Sequence, residues 1–306
     1  MKRLLLLIIL LTCTLAESIY AQQLIPMGNS IGIKLQLKEL LVSQDVLIDD
    51  KTWVNKGTVI YSINDKKVES IDQLKQYVNG ENTVQIEYAN KKTSLTMSEK
   101  QLNHLILFLK NETEGIGTLT YLDPKTKEFG AIGHQILEMS TNTPPKFIQG
   151  FVYGVDIQHI QKSSPGLPGY KVAHFRHNAI LGKVNENVVY GVFGSWQQSI
   201  NASSISEPLE VMQKDEITIG PAEILTAIDD KDVQSFKIEI TDVKNDTISF
   251  ELKDQKLINK TGGIIQGMSG SPIIQQNKFV GAVTHMYVEK PTTGVGLMIL
   301  EMLEKR

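Results

Sequence analysis

The sequence predicts a mainly β protein of sandwich or barrel type, with a small mixed α/β unit in front of it. Three observations carry this. From Gly115 onward, short apolar runs recur between turn residues, the pattern of an all-β domain. In that part only residues 295–303, at the end, have the pattern of a helix. The composition, 41% hydrophobic and 21% charged over 306 residues, is that of a globular chain of about two domains. A net charge of −3 and the lack of basic runs leave no footprint of nucleic-acid binding. No Cys/His set is spaced for zinc, and neither a metal nor a cofactor is expected.

Residues 1–21 form an apolar leader. Met1-Lys-Arg3 is a positive start, and residues 4–15 are apolar. That run is short of the ~20 residues of a membrane span and fits the core of a signal peptide. Export is expected, with cleavage near Ala21 or retention as an uncleaved anchor. Cys13, the single cysteine, falls inside this segment. The rest of the chain then has neither a disulfide nor a thiol nucleophile, so covalent chemistry would have to use Ser, Thr or Lys.

Residues 22–100 alternate short strands with one helix. Met27-Gly-Asn-Ser-Ile-Gly-Ile-Lys-Leu35 reads as a glycine turn entering a strand. Gly57-Thr-Val-Ile-Tyr-Ser-Ile-Asn64 reads as another, closed at Asn64-Asp65. Ser70-Ile-Asp-Gln73 has capping-box spacing, with Ile71, Leu74 and Val78 on one helical face. Val84, Ile86 and Tyr88 alternate with polar residues before a turn at Asn90 and a return strand. This order, and the stretch Ser62-Ile-Asn-Asp-Lys-Lys-Val-Glu-Ser-Ile-Asp-Gln-Leu74, are similar to PDZ domains of bacterial peptidases. The resemblance implies capture of an extended peptide or a C-terminus, with Gly28, Ile31 and Gly32 at the carboxylate-binding turn. A small spacer without a ligand is the other reading.

Residues 101–110 read as a link to the third unit, 101–306. Gly115-Ile-Gly-Thr-Leu-Thr-Tyr-Leu-Asp-Pro124 is a strand running into a turn. Phe129-Gly-Ala-Ile-Gly-His134 is its partner and places His134 at a strand end. Further strands are expected at 147–157, 188–194, 217–228, 236–240, 247–252 and 278–287, with a rigid Gly/Pro loop at 163–169.

The stretch Thr261-Gly-Gly-Ile-Ile-Gln-Gly-Met-Ser-Gly-Ser-Pro-Ile-Ile-Gln275 sets Ser269 between glycines and between two apolar strands. A serine hydroxyl attacks only when a base takes its proton, and peptide N–H groups must face the oxyanion that forms. Gly267 and Gly270 allow so tight a turn. A plain β-turn is the bland alternative. His134 is the candidate base, with His285 a rival in the following strand.

The string Gly267-Met-Ser-Gly-Ser-Pro272 resembles the serine signature of chymotrypsin-like peptidases, with Met268 and Ser271 departing from it. Taken with the His134 hairpin, Ser164-Pro-Gly-Leu-Pro-Gly169, Tyr190-Gly-Val-Phe-Gly194 and Gly281-Ala-Val-Thr-His285, the chain resembles the stage IV sporulation protein B family of signalling peptidases. The resemblance implies a chymotrypsin-like double β-barrel preceded by a PDZ-like domain. It implies a serine endopeptidase using His134, Ser269 and Asp254, with the N–H groups of Gly267 and Ser269 as oxyanion hole. Asp229, Asp230 and Asp156 stay open as alternatives for the acid. The resemblance further implies cleavage of the extracytoplasmic part of a membrane-bound regulator. That would activate an intramembrane protease and a late sigma factor in the space between forespore and mother-cell membranes. Self-cleavage near the N-terminus would be under PDZ control. A non-catalytic PDZ-containing adaptor is the competing reading.

Overall fold

The structure, a computed structural model, describes residues 22–199, 207–229 and 232–305. The leader, Cys13 and Asp230 lie outside the described residues. The chain opens with β1 (Gln23–Pro26), β2 (Ser30–Val42), β3 (Val59–Ile63), helix α1 (Ile71–Tyr77), β4 (Glu81–Tyr88), β5 (Lys91–Ser98) and helix α2 (Glu99–Ile106). Then come β6 (Leu109–Leu122), β7 (Glu128–Ala131), β8 (Phe147–Gln161), β9 (Gly169–Val188) and β10 (Gly191–Trp196). The C-terminal part holds β11 (Gly220–Ala227), β12 (Val233–Lys244), β13 (Thr247–Leu252), α3 (Gln255–Thr261), β14 (Ile265–Gln266), β15 (Pro272–Gln275), β16 (Lys278–Tyr287), β17 (Lys290–Met298) and α4 (Ile299–Glu304).

Two barrels result. β2 pairs with β6 and β8, β6 with β7, β7 with β10, β10 with β9, and β9 with β8, so the first ladder returns to its start. The second barrel runs β11-β12-β13-β17-β16-β15 and is closed. Closure leaves few exposed edges, and strand alternation fills each interior. In β12 and β13 the inward positions are Phe236, Ile238, Ile240 and Ile248, Phe250, Leu252, all buried. The fold is thus mainly β with the chymotrypsin-like double barrel that the resemblance implied.

The N-terminal unit is a sheet of the second half of β2 with β3, β4 and β5, covered by α1 and α2. Leu40, Ile60, Leu74, Val84, Met97 and Leu102 fill its separate core. Ser70 caps α1, accepting from the Gln73 N–H at 3.2 Å. The two tight turns, Asn64-Asp65 and Ala89-Asn90, have positive φ throughout, which matches the twist of a hairpin.

Three expectations are corrected. First, the stretch 101–110 is mostly helix, not a link. Ser98 and Gln101 form a reciprocal capping box that starts α2. Second, α3 is a helix in a part of the chain where only residues 295–303 were expected to form one. Its seven residues, Gln255–Thr261, are too few for a clear periodic signal.

The third correction concerns Gly28, Ile31 and Gly32, which belong to the first barrel and not to a peptide-binding turn. Residues Ser30–Gln36 of β2 pair with Thr118–Glu112 of β6, and Ile31–Leu35 pair on the other side with Gly154–Gly150 of β8. Their backbone groups are therefore spent inside a closed ladder. Ile31 is fully buried in the barrel core, and a Cβ on Gly32 would meet the Phe175 ring at 2.3 Å. Gly28 sits at the seam, donating to Leu119 O and accepting from Ala227 N. The N-terminal unit is thus inserted into the first barrel between β2 and β6, rather than strung ahead of it from residue 22.

Candidate active site

Ser269 lies on the loop between β14 and β15. Thr118 of β6 holds this loop twice. Its N–H donates to Ser269 O at 2.9 Å, and its buried hydroxyl donates to Gly267 O at 2.7 Å. The Met268 N–H donates to Ile265 O and the Gly270 N–H to Val283 O. Gly267 and Gly270 both have φ of +96°, where a side chain is strained. The Ser269 hydroxyl donates to Thr284 O at 3.1 Å.

His134 comes from the other barrel. After β7, Ile132 and Gly133 take φ of +69° and +72°. For a β-branched residue this is a genuine outlier, of the kind that collects at functional sites. The turn is fixed by Ile132 N–H to Thr118 O, so one threonine organises both the serine loop and the histidine turn. His134 Nδ1 is 2.9 Å from Gln135 O. A carbonyl can only accept, so Nδ1 carries the hydrogen and Nε2 of the neutral ring is left as the base. Asn187 of β9 locks this stretch in turn. Its Oδ1 accepts from Ile136 N–H at 2.8 Å, and its Nδ2 donates to Ile136 O at 2.9 Å.

Ser269, His134 and His285 line one cleft of about 570 Å³, bounded by residues from both barrels. Its walls are largely apolar, with Ile116, Ile264, Met286 and Val288 among them. The carboxylate in this lining is Glu114, whose side chain is paired with Lys34 at 3.3 Å. His285, the rival base, is exposed on β16, with its ring centre 5.6 Å from that of His134.

Asp254 is placed elsewhere. It is the N-cap of α3, and its Oδ1 accepts from the Leu257 N–H at 3.1 Å. It does not line the cleft, and His134 Nδ1 faces a peptide carbonyl where the resemblance had implied a carboxylate. Of the alternatives, Asp156 pairs with Arg176, and Asp229 lines a separate cavity with Arg176 and Trp196. If Asp254 acts as a cap, Asp254→Asn should keep the fold and the rate of Ser269 labelling by a fluorophosphonate within about tenfold. Loss of a tautomer-fixing acid would instead lower the rate about 10⁴-fold. Asp254→Ala should cost about 1 kcal/mol in chemical denaturation.

Burial pushes the His134 pKa below its ordinary 6.5, with the neighbouring His285 adding to the effect and the Gln135 bond opposing it. The ring is therefore neutral, and able to take a proton, at lower pH than free imidazole. The pH profile of Ser269 labelling should show its acid limb below 6.5; a limb at or above 6.5 would contradict the assignment. Stability carries the matching sign. The unfolded chain takes this proton first, so the contribution is complete above 6.5 and is lost as pH falls from there through the depressed folded value.

A serine hydroxyl and an imidazole line one cleft, the pair of groups that a serine hydrolase uses, and the chain is a serine peptidase. It belongs to the SpoIVB peptidase S55 family, whose model matches residues 101–303. A search of curated proteins finds no match. Among solved structures the chain is similar to the Rv3671c protease in an inactive form, at 12% identity over 61% of this chain and 81% of that one, with a TM-score of 0.37. A serine-to-alanine mutant of the same protease from M. tuberculosis H37Rv is similar at 11% identity over 62% and 81%, with a TM-score of 0.35.

Thr118 and Asn187 were missed by sequence reasoning. Neither has a local signal, since each acts on residues far along the chain. The Gly-Thr-Leu-Thr stretch reads as ordinary strand, and Asn187 falls just ahead of the strand expected at 188–194.

Proposed function

We propose that this peptidase is an exported signalling enzyme of sporulation. It cuts the extracytoplasmic part of a membrane-bound regulator and so activates an intramembrane protease and a late sigma factor. The observation that carries this reading is the family match over residues 101–303. In the reaction, Ser269 Oγ attacks the scissile carbonyl while His134 Nε2 takes its proton. The N–H groups of Gly267 and Ser269 donate to the oxyanion. His134 then gives the proton to the leaving amine, and water repeats the sequence on the acyl-enzyme. The serine hydroxyl must first release Thr284 O, to which it donates at 3.1 Å.

The N-terminal unit is read as a PDZ-like module that binds a peptide or C-terminus, the chain's own N-terminal region among its ligands. Its contact with the site supports a controlling role. The loop after His134 lies against it: a Cβ on Gly57 would meet Ser140 O at 2.8 Å, and Glu138 of the same loop is paired with Lys110 at the start of β6. The test is reconstitution. The full chain and its Ser269→Ala variant are each co-expressed with the membrane regulator, its intramembrane protease and a sigma-factor reporter. Regulator cleavage and reporter activity with the wild type alone are expected. A regulator left intact by the wild type, while Ser269 still reacts with a fluorophosphonate, would sink the signalling role and leave the peptidase standing.

A further inference from the structure

Lys171 of β9 carries a buried amine that the reaction as described does not use. It is 5% exposed. Its Nζ donates to Ser30 Oγ at 2.8 Å and to Thr226 Oγ1 at 3.4 Å. Ser30 begins β2 in the first barrel, and Thr226 lies on β11 in the second. No acidic side chain is within ion-pair distance among the described residues, and burial pulls the Lys171 pKa down to about 7.

The stem of this lysine runs under the serine loop. β14 pairs with β9 in parallel, Gly169 with Ile265 and Tyr170 with Gln266. The next residues along the two strands are Lys171 and Gly267. A Cβ placed on Gly267 would meet Lys171 Cδ, Cγ and Cβ at 3.1, 3.2 and 3.3 Å. The Gly267 peptide is thus held between the Thr118 hydroxyl on its carbonyl and the Lys171 methylenes at its Cα. An apolar side chain would fill the same space without desolvating an amine. It could not also bond to a hydroxyl from each barrel.

We propose that Lys171 is a positioning residue for peptide hydrolysis: its stem is the floor beneath Gly267, and its amine, tied to Ser30 and Thr226, fixes that floor to both barrels. Through this support the Gly267 N–H is aimed at the oxyanion. The proposal rests on the reading of Gly267 and Ser269 as oxyanion donors. Loss of one such donor lowers the rate about 10²–10³-fold, and a misplacement of about 1 Å is worth about 10²-fold.

The experiment is the rate of Ser269 phosphonylation in the full chain by a fluorophosphonate, whose phosphoryl oxygen needs the same donors. Half-saturation and maximal rate are measured separately, and thermal unfolding is followed in parallel. Lys171→Met keeps an unbranched stem and removes the amine; its maximal rate should fall about tenfold with half-saturation unchanged. Lys171→Ala should lose about 100-fold. The Ser30→Ala/Thr226→Val double variant, which leaves the lysine in place, should resemble Lys171→Met. A folded Lys171→Met protein that labels at the wild-type rate would overturn the proposal. So would a rate loss fully matched by the fraction unfolded at the assay temperature, which would make Lys171 a packing residue only. If Lys171→Ala does not fold, the methionine and double variants decide by the same criteria. Failure of the wild type to label would overturn the Ser269 reading, and this proposal with it.

Discussion

Replacing Ser269 by alanine is expected to lower peptide-bond hydrolysis about 10⁶-fold, to the level left by binding and the oxyanion donors. The fold should be unaffected. The hydroxyl makes one hydrogen bond, to Thr284 O at 3.1 Å, whereas the loop is held by backbone bonds and by Thr118. Loss of one such side-chain bond is worth about 1 kcal/mol. Turnover of a protein substrate, together with the thermal midpoint, checks both halves. A variant that retains more than about 1% of wild-type turnover would assign the chemistry to another group. A midpoint lowered by more than about 5 °C would show that the serine also supports the loop.

The second large effect is on stability. Gly270→Ala places a methyl group 2.2 Å from Thr118 O and 2.5 Å from the Ile132 N, both backbone atoms. They cannot move without breaking the Ile132 N–H to Thr118 O bond that shapes the His134 turn. The residue also has φ of +96°. Backbone strain of about 1–3 kcal/mol and an overpacking penalty of about 1–3 kcal/mol add to about 4 kcal/mol. Thermal unfolding should fall by about 10 °C, and labelling of Ser269 should be lost at temperatures where the protein is still folded. A Gly270→Ala protein with wild-type midpoint and labelling would mean that the two turns are not coupled through Thr118.

Much of the β architecture was legible because alternation and turn chemistry are local. The strands Thr247–Leu252 and Lys278–Tyr287 fall where the apolar pattern put them. The Asn64-Asp65 and Asn90 turns carry the positive φ that their residue types favour. The serine loop was legible too, since glycines flanking a serine announce a backbone no other residue would tolerate. What stayed hidden was long-range. The assignment of Gly28, Ile31 and Gly32 followed chain order, and nothing in those residues says that β2 is shared between two cores. Asp254 shows a different limit. An aspartate ahead of a short helix is a cap, but the apolar spacing Leu257-Ile258 is too brief to reveal the helix, so its carboxylate remained available for another role.

The way the N-terminal unit is joined determines what can be cut away. Val42 and Leu109, which bracket residues 43–108 of the N-terminal unit, are cross-strand neighbours. Beginning the polypeptide at residue 101 would discard β2, a stave of that barrel, and leave β6 and β8 with raw edges. Excising 43–108 and bridging the gap with a tight hairpin would spare every stave. A minimal peptidase is therefore to be sought by deletion from the middle of the chain, not by trimming its front.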